Sequence, residues 1–326
     1  MCRGRDTDHH PQALRRLSSA LLTAILVAGM GGFAHAGHLQ KVSGDGVVHR
    51  VDVEAASGPA IAGGTFLRHT LQHADGSKLS QILPGTEDFF VDREPALEID
   101  PVTDHPVVVW SRDQDVGFDI FLSRFDGVEW SMPFPVFQGT GNDVKPEIRI
   151  TSRRIHIIWR NQTPSVLHLN LDRETLAPIY GPETLPTEGI DMLSPEGGAE
   201  GAEDDVSPSP PRDATFFTGE IDLLLPGMPP RIFVWGVRDE PVPVGYSQGL
   251  LLDPELSPVR SSSAGWVGER FAVWFISPDD GFSYIFRDNG HWTTFRRIML
   301  DEDTRELDAK NQMEEMLLRI GPDLPD

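Results

Sequence analysis

Cysteine is nearly absent from this 326-residue chain, in which Cys2 is the single example. Cys2 precedes the apolar stretch 20–33, so it does not stand where a lipoprotein acceptor cysteine would. An exported form of the chain would lose this residue, which excludes disulfide bonds from its fold. The fold must then depend on its own hydrophobic core, and a mature chain of about 290 residues can bury one as a single all-β domain.

Basic residues are also scarce, since 28 Lys and Arg stand against 50 Asp and Glu, a net charge of −22. Removal of an N-terminal signal would leave 24 basic and 48 acidic side chains, a net charge of −24. Nucleic acids and anionic membranes are bound through cationic contacts, so this balance argues against both as partners. Divalent cations, basic polypeptides and neutral glycans stay open as partners, and solubility alone would also account for the acidity.

The first 36 residues follow the order of an export signal. Arg15 and Arg16 precede the apolar stretch 20–33, and Ala34-His35-Ala36 is a small-x-small cleavage site. Glycines within the stretch, and a length below the roughly 20 residues of a spanning helix, argue against an uncleaved anchor. We expect a signal peptide over 1–36 cleaved after Ala36, a periplasmic or secreted protein, and no stable membrane insertion of the mature chain.

A short apolar run that ends in tryptophan occurs four times. The four runs are Val107-Val108-Val109-Trp110, His156-Ile157-Ile158-Trp159, Ile232-Phe233-Val234-Trp235 and Phe271-Ala272-Val273-Trp274. The first two tryptophans are 49 residues apart and the last two are 39 apart, which brackets the roughly 40–50 residues of a four-stranded propeller blade. Units repeated at this spacing bury their faces only by stacking on one another. The pattern predicts an all-β fold, a β-propeller of about five or alternatively six four-stranded blades within residues 37–300.

The clearest unit, residues 95–136, divides into strands by its period-two alternation and its turn residues. We place the strands at 95–99, 107–110, 118–124 and from about Val128 through Trp130, with Asp126-Gly127 turning the third strand into the fourth. Residues 146–150 and 155–159 repeat the first two strands. Residues 46–90, with strands at 47–53, 66–73 and 78–83, form either a first blade without the tryptophan or, through 47–53, the closing strand of the last blade.

Two segments depart from the strand pattern. Residues 186–213 are rich in Pro, Gly, Ser and acidic side chains and too poor in apolar ones to order themselves, which predicts a disordered acidic insertion. In residues 301–326, apolar side chains from Leu307 to Ile320 recur at helical spacing. We expect a C-terminal amphipathic helix and tail that pack on the ring of sheets or on another subunit.

The Pro-x-Ile-x-Ile strand, the tryptophan-ending strand and Ser123-Arg124-Phe125-Asp126-Gly127-Val128-Glu129-Trp130 together resemble the bacterial neuraminidase-type (Asp-box) repeat of sialidase-like β-propellers. The resemblance covers residues 95–300. It implies that the Asp and Ser of the box brace the hairpin between the third and fourth strands. It also implies that Trp130, and its equivalent Trp292, pack between blades.

Sialidase activity, as this resemblance would imply it, needs three arginines on the substrate carboxylate, a Tyr–Glu nucleophile pair and an Asp acid. The opening Arg-Ile-Pro motif is absent, both boxes are degenerate, and Tyr180, Tyr246 and Tyr284 stand in no context that matches the family. The resemblance therefore indicates the fold and a non-catalytic binding module rather than the chemistry.

Gly245-Tyr246-Ser247-Gln248-Gly249 matches the Gly-x-Ser-x-Gly nucleophile elbow, which makes Ser247 the one candidate catalytic residue. Pro254 breaks the stretch where a helix should follow, and His291 is the only histidine downstream. An ordinary β-turn is the simpler interpretation.

The sequence has two loose metal-site patterns. His69 and His73 have the spacing of a helical metal pair, but they fall in an alternating stretch and are interpreted as exposed strand histidines. Asp113, Asp115 and Asp119 resemble a calcium loop without the bidentate glutamate at its end. We predict no metal and no cofactor, with calcium at these aspartates as the alternative to a solvated loop.

Charged residues follow every tryptophan strand, and we interpret them as a ligand-binding rim. The rim consists of Arg112, Asp113, Asp115, Arg160, Arg238, Asp239, Asp279 and Asp280. If the tryptophan strands are second strands, these loops open on one face of the ring, where a mixed Arg/Asp surface suits a glycan or peptide. The sequence favours an exported binding or scaffold protein over an enzyme. A sialidase-like glycan hydrolase using rim carboxylates is the alternative, and an assembly role through the helix and insertion is the third.

Overall fold

The computed structural model describes residues 40–56, 63–114, 117–139, 141–161, 165–186, 190–191, 209–221, 231–239, 246–251, 259, 261–276, 281–288, 291–292 and 296–299. The expected signal 1–36, the greater part of the insertion 186–213 and the expected C-terminal helix in 301–326 lie outside these residues. The regular structure within them is β-strand. In this described part, no helix has the length and apolarity needed to cross a membrane.

The strands form five successive sheets, here called blades 1 to 5. Blade 1 contains β1 (Gln40–Val42), β2 (Val48–Ala55), β3 (Thr65–Gln72) and β4 (Lys78–Ile82). Blade 2 contains β5 (Asp92–Ile99), β6 (Pro106–Asp113), β7 (Phe118–Arg124) and β8 (Phe134–Phe137). Blade 3 contains β9 (Val144–Ile150), β10 (Arg154–Arg160), β11 (Val166–Asp172) and β12 (Pro178–Thr184). In these three blades each strand pairs antiparallel with the next one along the chain.

Blades 4 and 5 vary this plan at their outer edges. Blade 4 contains β13 (Ile190–Asp191), β14 (Thr215–Ile221), β15 (Arg231–Val237) and β16 (Tyr246–Leu251), with β13 parallel to β16 at the edge. Blade 5 contains β17 (Ser261–Val267), β18 (Arg270–Ile276), β19 (Gly281–Asp288), β20 (His291–Trp292) and β21 (Arg296–Met299). Both β20 and β21 pair with β19. Thus two residues of the expected insertion, Ile190 and Asp191, complete a blade.

Neighbouring blades pack face to face, with β1 contacting β5, β5 contacting β9, and β14 contacting β17. Along β6, Val107 and Val109 face blade 3, whereas Val108 and Trp110 face blade 1. This alternation buries both faces of the sheet, which is why the strand is continuously apolar rather than amphipathic. Repeated four-stranded sheets stacked in this way make the fold a β-propeller, as the sequence predicts.

The four repeated tryptophans all lie on the second strand of their sheet, counted from β5, β9, β14 and β17, and each is 5% exposed or less. Those of blades 2, 3 and 4 pack against the preceding blade. Trp274 of blade 5 instead lies on the other face of its sheet, in a cluster that contains only residues of blade 5 among those described. The sequence predicts that the four tryptophans occupy equivalent places. All four do lie on equivalent strands, and three of them also pack in the same direction.

Three of these indoles donate a hydrogen bond inside the protein. Trp110 Nε1 donates to Asp92 Oδ1 at 2.6 Å, and Trp159 Nε1 donates to Asp143 Oδ1 at 2.8 Å. Trp235 Nε1 donates to the carbonyl of Pro186 at 2.9 Å. A buried indole N–H that lacked such an acceptor would carry an uncompensated desolvation cost.

The hairpin between β7 and β8 has the bracing that the Asp-box resemblance implies. Asp126 Oδ1 accepts the N–H groups of Val128 and Glu129, each at 2.8 Å, and Ser123 Oγ donates to the carbonyl of Ser131 at 2.7 Å. Trp130 is 3% exposed and lies in the cluster between blades 1 and 2.

Two strand assignments made from the sequence need correction. The fourth strand of blade 2 begins at Phe134, not near Val128, because Asp126 holds the intervening residues in a turn. The segment 47–53 does not complete the last blade, since β2 pairs with β1 and β3 in blade 1.

The bond between Trp159 and Asp143 can be tested against a matched tryptophan that has no such bond. We expect Trp159→Phe to lower the free energy of unfolding by about 1–3 kcal/mol more than Trp130→Phe, because only the first removes a hydrogen bond that is donated to a buried carboxylate. Trp130 is also buried, and its Nε1 has no hydrogen-bond partner among the described residues. Urea unfolding of both variants measures the difference, and equal losses would contradict the role of the bond.

Candidate functional site

The structure places the predicted rim residues at two different ends of the blades. Arg112 and Asp113 are the last residues of β6, and Arg160 is the last residue of β10, so these three share the end at which the second strands of blades 2 and 3 finish. We call this end the strand-end face. Asp115, Asp279 and Asp280 lie outside the described residues.

Arg112 is engaged within the protein and is only 5% exposed. Its Nη1 lies 3.1 and 3.2 Å from the two carboxylate oxygens of Asp92, and its Nη2 bonds Asp88. The guanidinium also lies over the rings of Phe90 and Phe121. Arg112 therefore compensates a buried carboxylate. The local sequence could not show this pairing, because Asp92 precedes Arg112 by 20 residues.

Asp239 lies at the opposite end of blade 3 from Arg160. Its Oδ1 accepts from Thr151 Oγ1 at 3.0 Å and lies 3.1 Å from His156 Nε2. Thr151 belongs to the turn before β10, and a seven-residue strand separates that turn from Arg160 by roughly 20 Å. Arg238 pairs with Asp213 at 3.1 Å. The five rim residues that the structure describes are thus not brought together at one end of the blades.

Two buried aspartates, Asp92 and Asp143, organise the strand-end face, and the sequence analysis missed both. Each is 0% exposed, stands at the start of the first strand of its blade and accepts the indole N–H of the second strand. The signal was present as a repeat of Asp-x-x-Pro, in Asp92-Arg93-Glu94-Pro95 and Asp143-Val144-Lys145-Pro146, 51 residues apart.

The residue before each of these prolines has a left-handed backbone. Glu94 and Lys145 both have φ 52°, a conformation that costs a non-glycine residue free energy. A register irregularity accompanies each position, between β5 and β6 and between β9 and β10. The backbone N–H of Lys145 donates to Glu94 Oε2 at 2.9 Å, so the two irregular turns are joined. Bulges of this kind redirect side chains and are common next to binding and active sites.

Burial dominates the electrostatics of this face. It raises the pKa of Asp92 to about 7, although the charge of Arg112 and the hydrogen bond from Trp110 act in the opposite direction. Burial likewise raises the pKa of Asp143, whose Oδ2 accepts no hydrogen bond from the part of the chain that the structure describes. The pKa of Asp119 is also raised by burial, against the N–H that Gly139 donates to it at 3.1 Å.

A cavity of about 90 Å³ lies beside these groups between blades 3 and 4. Its charged lining consists of Lys145, Glu147 and Arg160, and its remaining lining consists of Ile158, Trp159, Val166 and Trp235. The Glu147 side chain is 39% exposed. The surrounding protein raises its pKa by desolvation, while the charges of Arg149 and Arg160 act to lower it. The cavity is smaller than the roughly 300–1,000 Å³ of a complete ligand pocket, so it would hold one substituent of a larger ligand.

Ser247 does not stand on a nucleophile elbow. It lies within β16, paired with Trp235 of β15, and its hydroxyl donates to the carbonyl of Pro186 at 2.8 Å. A strand position with a backbone acceptor lacks the sharp strand-to-helix turn and the base that the motif requires. Ser247 therefore lies neither on a nucleophile elbow nor in the β-turn that the sequence favoured.

The calcium pattern is only partly described. Asp113 ends β6 and is half-buried, Asp119 is buried in β7, and Asp115 lies outside the described residues. Among the residues that the structure covers, no three His, Cys, Asp or Glu side chains are grouped to hold a metal ion. Calcium at the three aspartates stays a prediction.

Comparison with solved structures finds the same architecture at very low sequence identity. A sialidase from Streptococcus pneumoniae matches 86% of this chain and 63% of its own length with a TM-score of 0.51 and 7% identity. An α-L-arabinofuranosidase from Clostridium thermocellum matches 80% of this chain and 93% of its own length, with a TM-score of 0.46 and 9% identity. An α-L-arabinofuranosidase from Podospora anserina matches 76% and 87%, with a TM-score of 0.39 and 11% identity. Neither the family models nor the sequences of curated proteins match the chain.

The sialidase match shows the fold. At 7% identity it shows nothing further about chemistry. The sialidase-like propeller architecture that the Asp-box resemblance implied is thereby supported, and the activity must be argued from the site.

The raised pKa of Asp92 gives a pH-dependence with a definite sign. Because the folded state holds this proton up to about pH 7 and the unfolded state releases it near pH 4, the associated stability is complete at acid pH and is lost as pH rises through about 7. The shift corresponds to at most about 4 kcal/mol. We expect the free energy of unfolding to fall between pH 4 and pH 8 in the wild type and to fall less in Asp92→Asn. Parallel curves for the two proteins would show that Asp92 is ionised throughout.

Proposed function

We propose that this protein is an exported, non-catalytic propeller that binds a glycan on the strand-end face of blades 2 to 4. The cavity lined by Lys145, Glu147 and Arg160 would receive one polar substituent of the glycan. The observation that carries the proposal is the composition of this cavity, which combines donors and an acceptor of both signs with the apolar side chains of Ile158 and Val166. Ligand sites typically have this mixture of an apolar wall and a few placed polar groups.

The location of the cavity also supports a binding role. It opens beside Lys145, a non-glycine residue with a left-handed backbone, and such residues are concentrated at binding and active sites. The bulge places Lys145 and Glu147, two residues apart, at the same cavity, as alternate residues of a strand share one face. Both residues stand on rigid inner-strand backbone rather than on a long loop.

Binding is favoured over hydrolysis because the described cavity offers a single carboxylate. Glycosidases generally use two carboxyl groups about 5–9.5 Å apart, one as acid and the other as nucleophile or base. Glu147 is the one carboxylate that lines the cavity. Asp92 and Asp143 are fully buried and hold indole N–H groups. The sialidase-like hydrolase is therefore the second candidate.

The choice of a glycan rests on the Asp-box resemblance and on the fold shared with a sialidase. The neighbouring Podospora anserina enzyme was solved with cellotriose, which describes that protein alone. Export to the periplasm or beyond, proposed from residues 1–36, would place this chain where extracellular glycans are encountered.

A glycan array probed with residues 37–326, followed by calorimetry on each hit, tests the proposal. We expect Lys145→Gln and Glu147→Gln each to weaken binding by roughly 10-fold or more, since a hydrogen bond to a charged group contributes about 1.5–3 kcal/mol. Lys78→Gln, an exposed lysine at the start of β4 in blade 1, is the matched control and should bind as the wild type does.

Two outcomes would contradict this function. Absence of binding to any glycan would remove it, and glycan binding unchanged in both cavity variants would place the site elsewhere. Turnover of a chromogenic glycoside that is lost in Glu147→Gln would favour the hydrolase instead.

A further inference from the structure

Two buried histidine pairs occupy equivalent positions in blades 1 and 3. His49 of β2 stacks on His69 of β3, and His156 of β10 stacks on His168 of β11, with ring centroids 5.3 and 5.5 Å apart. In each pair the second-strand histidine lies diagonally across from the third-strand histidine, in the same register. All four side chains are at most 4% exposed. The expectation that His69 is an exposed strand histidine is therefore wrong, because both faces of a propeller blade are covered.

In blade 1, the histidine pair contacts a serine hydroxyl, and both rings can be neutral. His49 Nδ1 lies 3.1 Å from His69 Nε2, and His49 Nε2 lies 3.3 Å from Ser43 Oγ. These two contacts need two ring protons, which two neutral imidazoles supply. Burial lowers the pKa of His69 to about 3 and also lowers the pKa of His49, in agreement with a neutral pair.

In blade 3, the histidine pair contacts a carboxylate at each end. His156 Nε2 lies 3.1 Å from Asp239 Oδ1, His156 Nδ1 lies 3.3 Å from His168 Nε2, and His168 Nδ1 lies 3.4 Å from Glu183 Oε1. Each of these contacts needs one proton, because ionised carboxylates only accept. Three protons are required, whereas two neutral imidazoles carry two. The chain of four groups therefore holds one additional proton.

The surrounding donors keep both carboxylates ionised. Asp239 accepts from Thr151 and Arg153, and its pKa is lowered first by the hydrogen bond from His156. The Tyr180 hydroxyl donates to Glu183 Oε2 at 2.8 Å. The additional proton therefore lies on the imidazoles.

The proton can be assigned to one ring of the pair. Burial lowers the pKa of His156 despite the opposing effect of Asp239, which favours a neutral His156 that donates to Asp239 and accepts from its partner. His168 must then donate from both nitrogens, to His156 and to Glu183.

We propose that His168 is an imidazolium at neutral pH and that its additional proton completes a hydrogen-bonded chain from Glu183 of β12, through both rings, to Asp239 of the segment that follows β15 in blade 4. Loss of the proton leaves one of the three contacts as two facing lone pairs. The blade 1 pair needs no additional proton, because neutral rings satisfy both of its contacts.

Other charged groups near the pair already have partners. Arg154 donates to the Asp239 carbonyl and pairs with Asp172 at 3.1 Å. Arg149, which is opposite His156 in the β9–β10 register, is directed at Glu98 and Glu147. Neither supplies the missing proton to the contact between His168 and Glu183.

Nitrogen-15 NMR of the chain 37–326 with labelled histidine tests this assignment, with resonances assigned from single His→Gln variants. At pH 7 we expect both ring nitrogens of His168 to have the shifts of a protonated ring. His49, His69 and His156 should each show one protonated and one bare nitrogen. Glu183→Gln should abolish the imidazolium signature of His168, and Ser43→Ala, the matched change in blade 1, should leave it intact.

A neutral His168 at pH 7 in the wild-type spectrum would overturn the proposal, and this result does not depend on whether Glu183→Gln folds. An imidazolium that persists unchanged in Glu183→Gln would equally overturn it, because the proton would then not depend on the carboxylate.

Discussion

The hydrogen bond from a second-strand indole to a first-strand aspartate is the constraint on which much of this structure depends. A tryptophan buried between two sheets contributes a large apolar surface but carries one N–H that must be satisfied. In blades 2 and 3 that acceptor is a carboxylate, which is itself removed from water. The charge then needs compensation, because an isolated buried carboxylate is far costlier than the indole N–H it serves. Arg112 supplies that compensation to Asp92, and Asn161 supplies a second donor to Asp143 at 3.0 Å.

The same constraint explains the distorted backbone at the starts of β5 and β9. An aspartate that turns into the blade to reach an indole cannot be followed directly by a regular strand. A left-handed residue and a buried proline restore the register two and three positions later, at 94–95 and at 145–146. A left-handed non-glycine residue costs about 1–3 kcal/mol. In blade 3 this residue is Lys145, which lines the cavity. One residue therefore belongs both to the irregular start of β9 and to the proposed binding site.

Local chemistry made the strands predictable, and long-range pairing made the site unpredictable. The third strand of blade 2 was placed at 118–124, as found, because alternation and the Asp126-Gly127 turn are local signals. Arg112 and Asp239 looked like free loop charges because their partners, Asp92 and His156, lie 20 and 83 residues away in sequence. The Asp-x-x-Pro repeat was readable, but it has meaning only once the tryptophan strands are known to lie beside it.

The net negative charge of the chain does not determine which groups a ligand meets in the cavity. Ionic contacts link the first strands of three blades, from Lys41 to Glu98 at 3.4 Å and from Glu98 to Arg149 at 3.7 Å. Charges beyond about 8 Å are largely screened at physiological salt, whereas Lys145 and Glu147 line the cavity itself. A ligand in this cavity therefore meets the local groups rather than the net charge of −22. An acidic sequence argues against extended polyanions as partners, but it does not prevent a small polar group from binding where blades 3 and 4 meet.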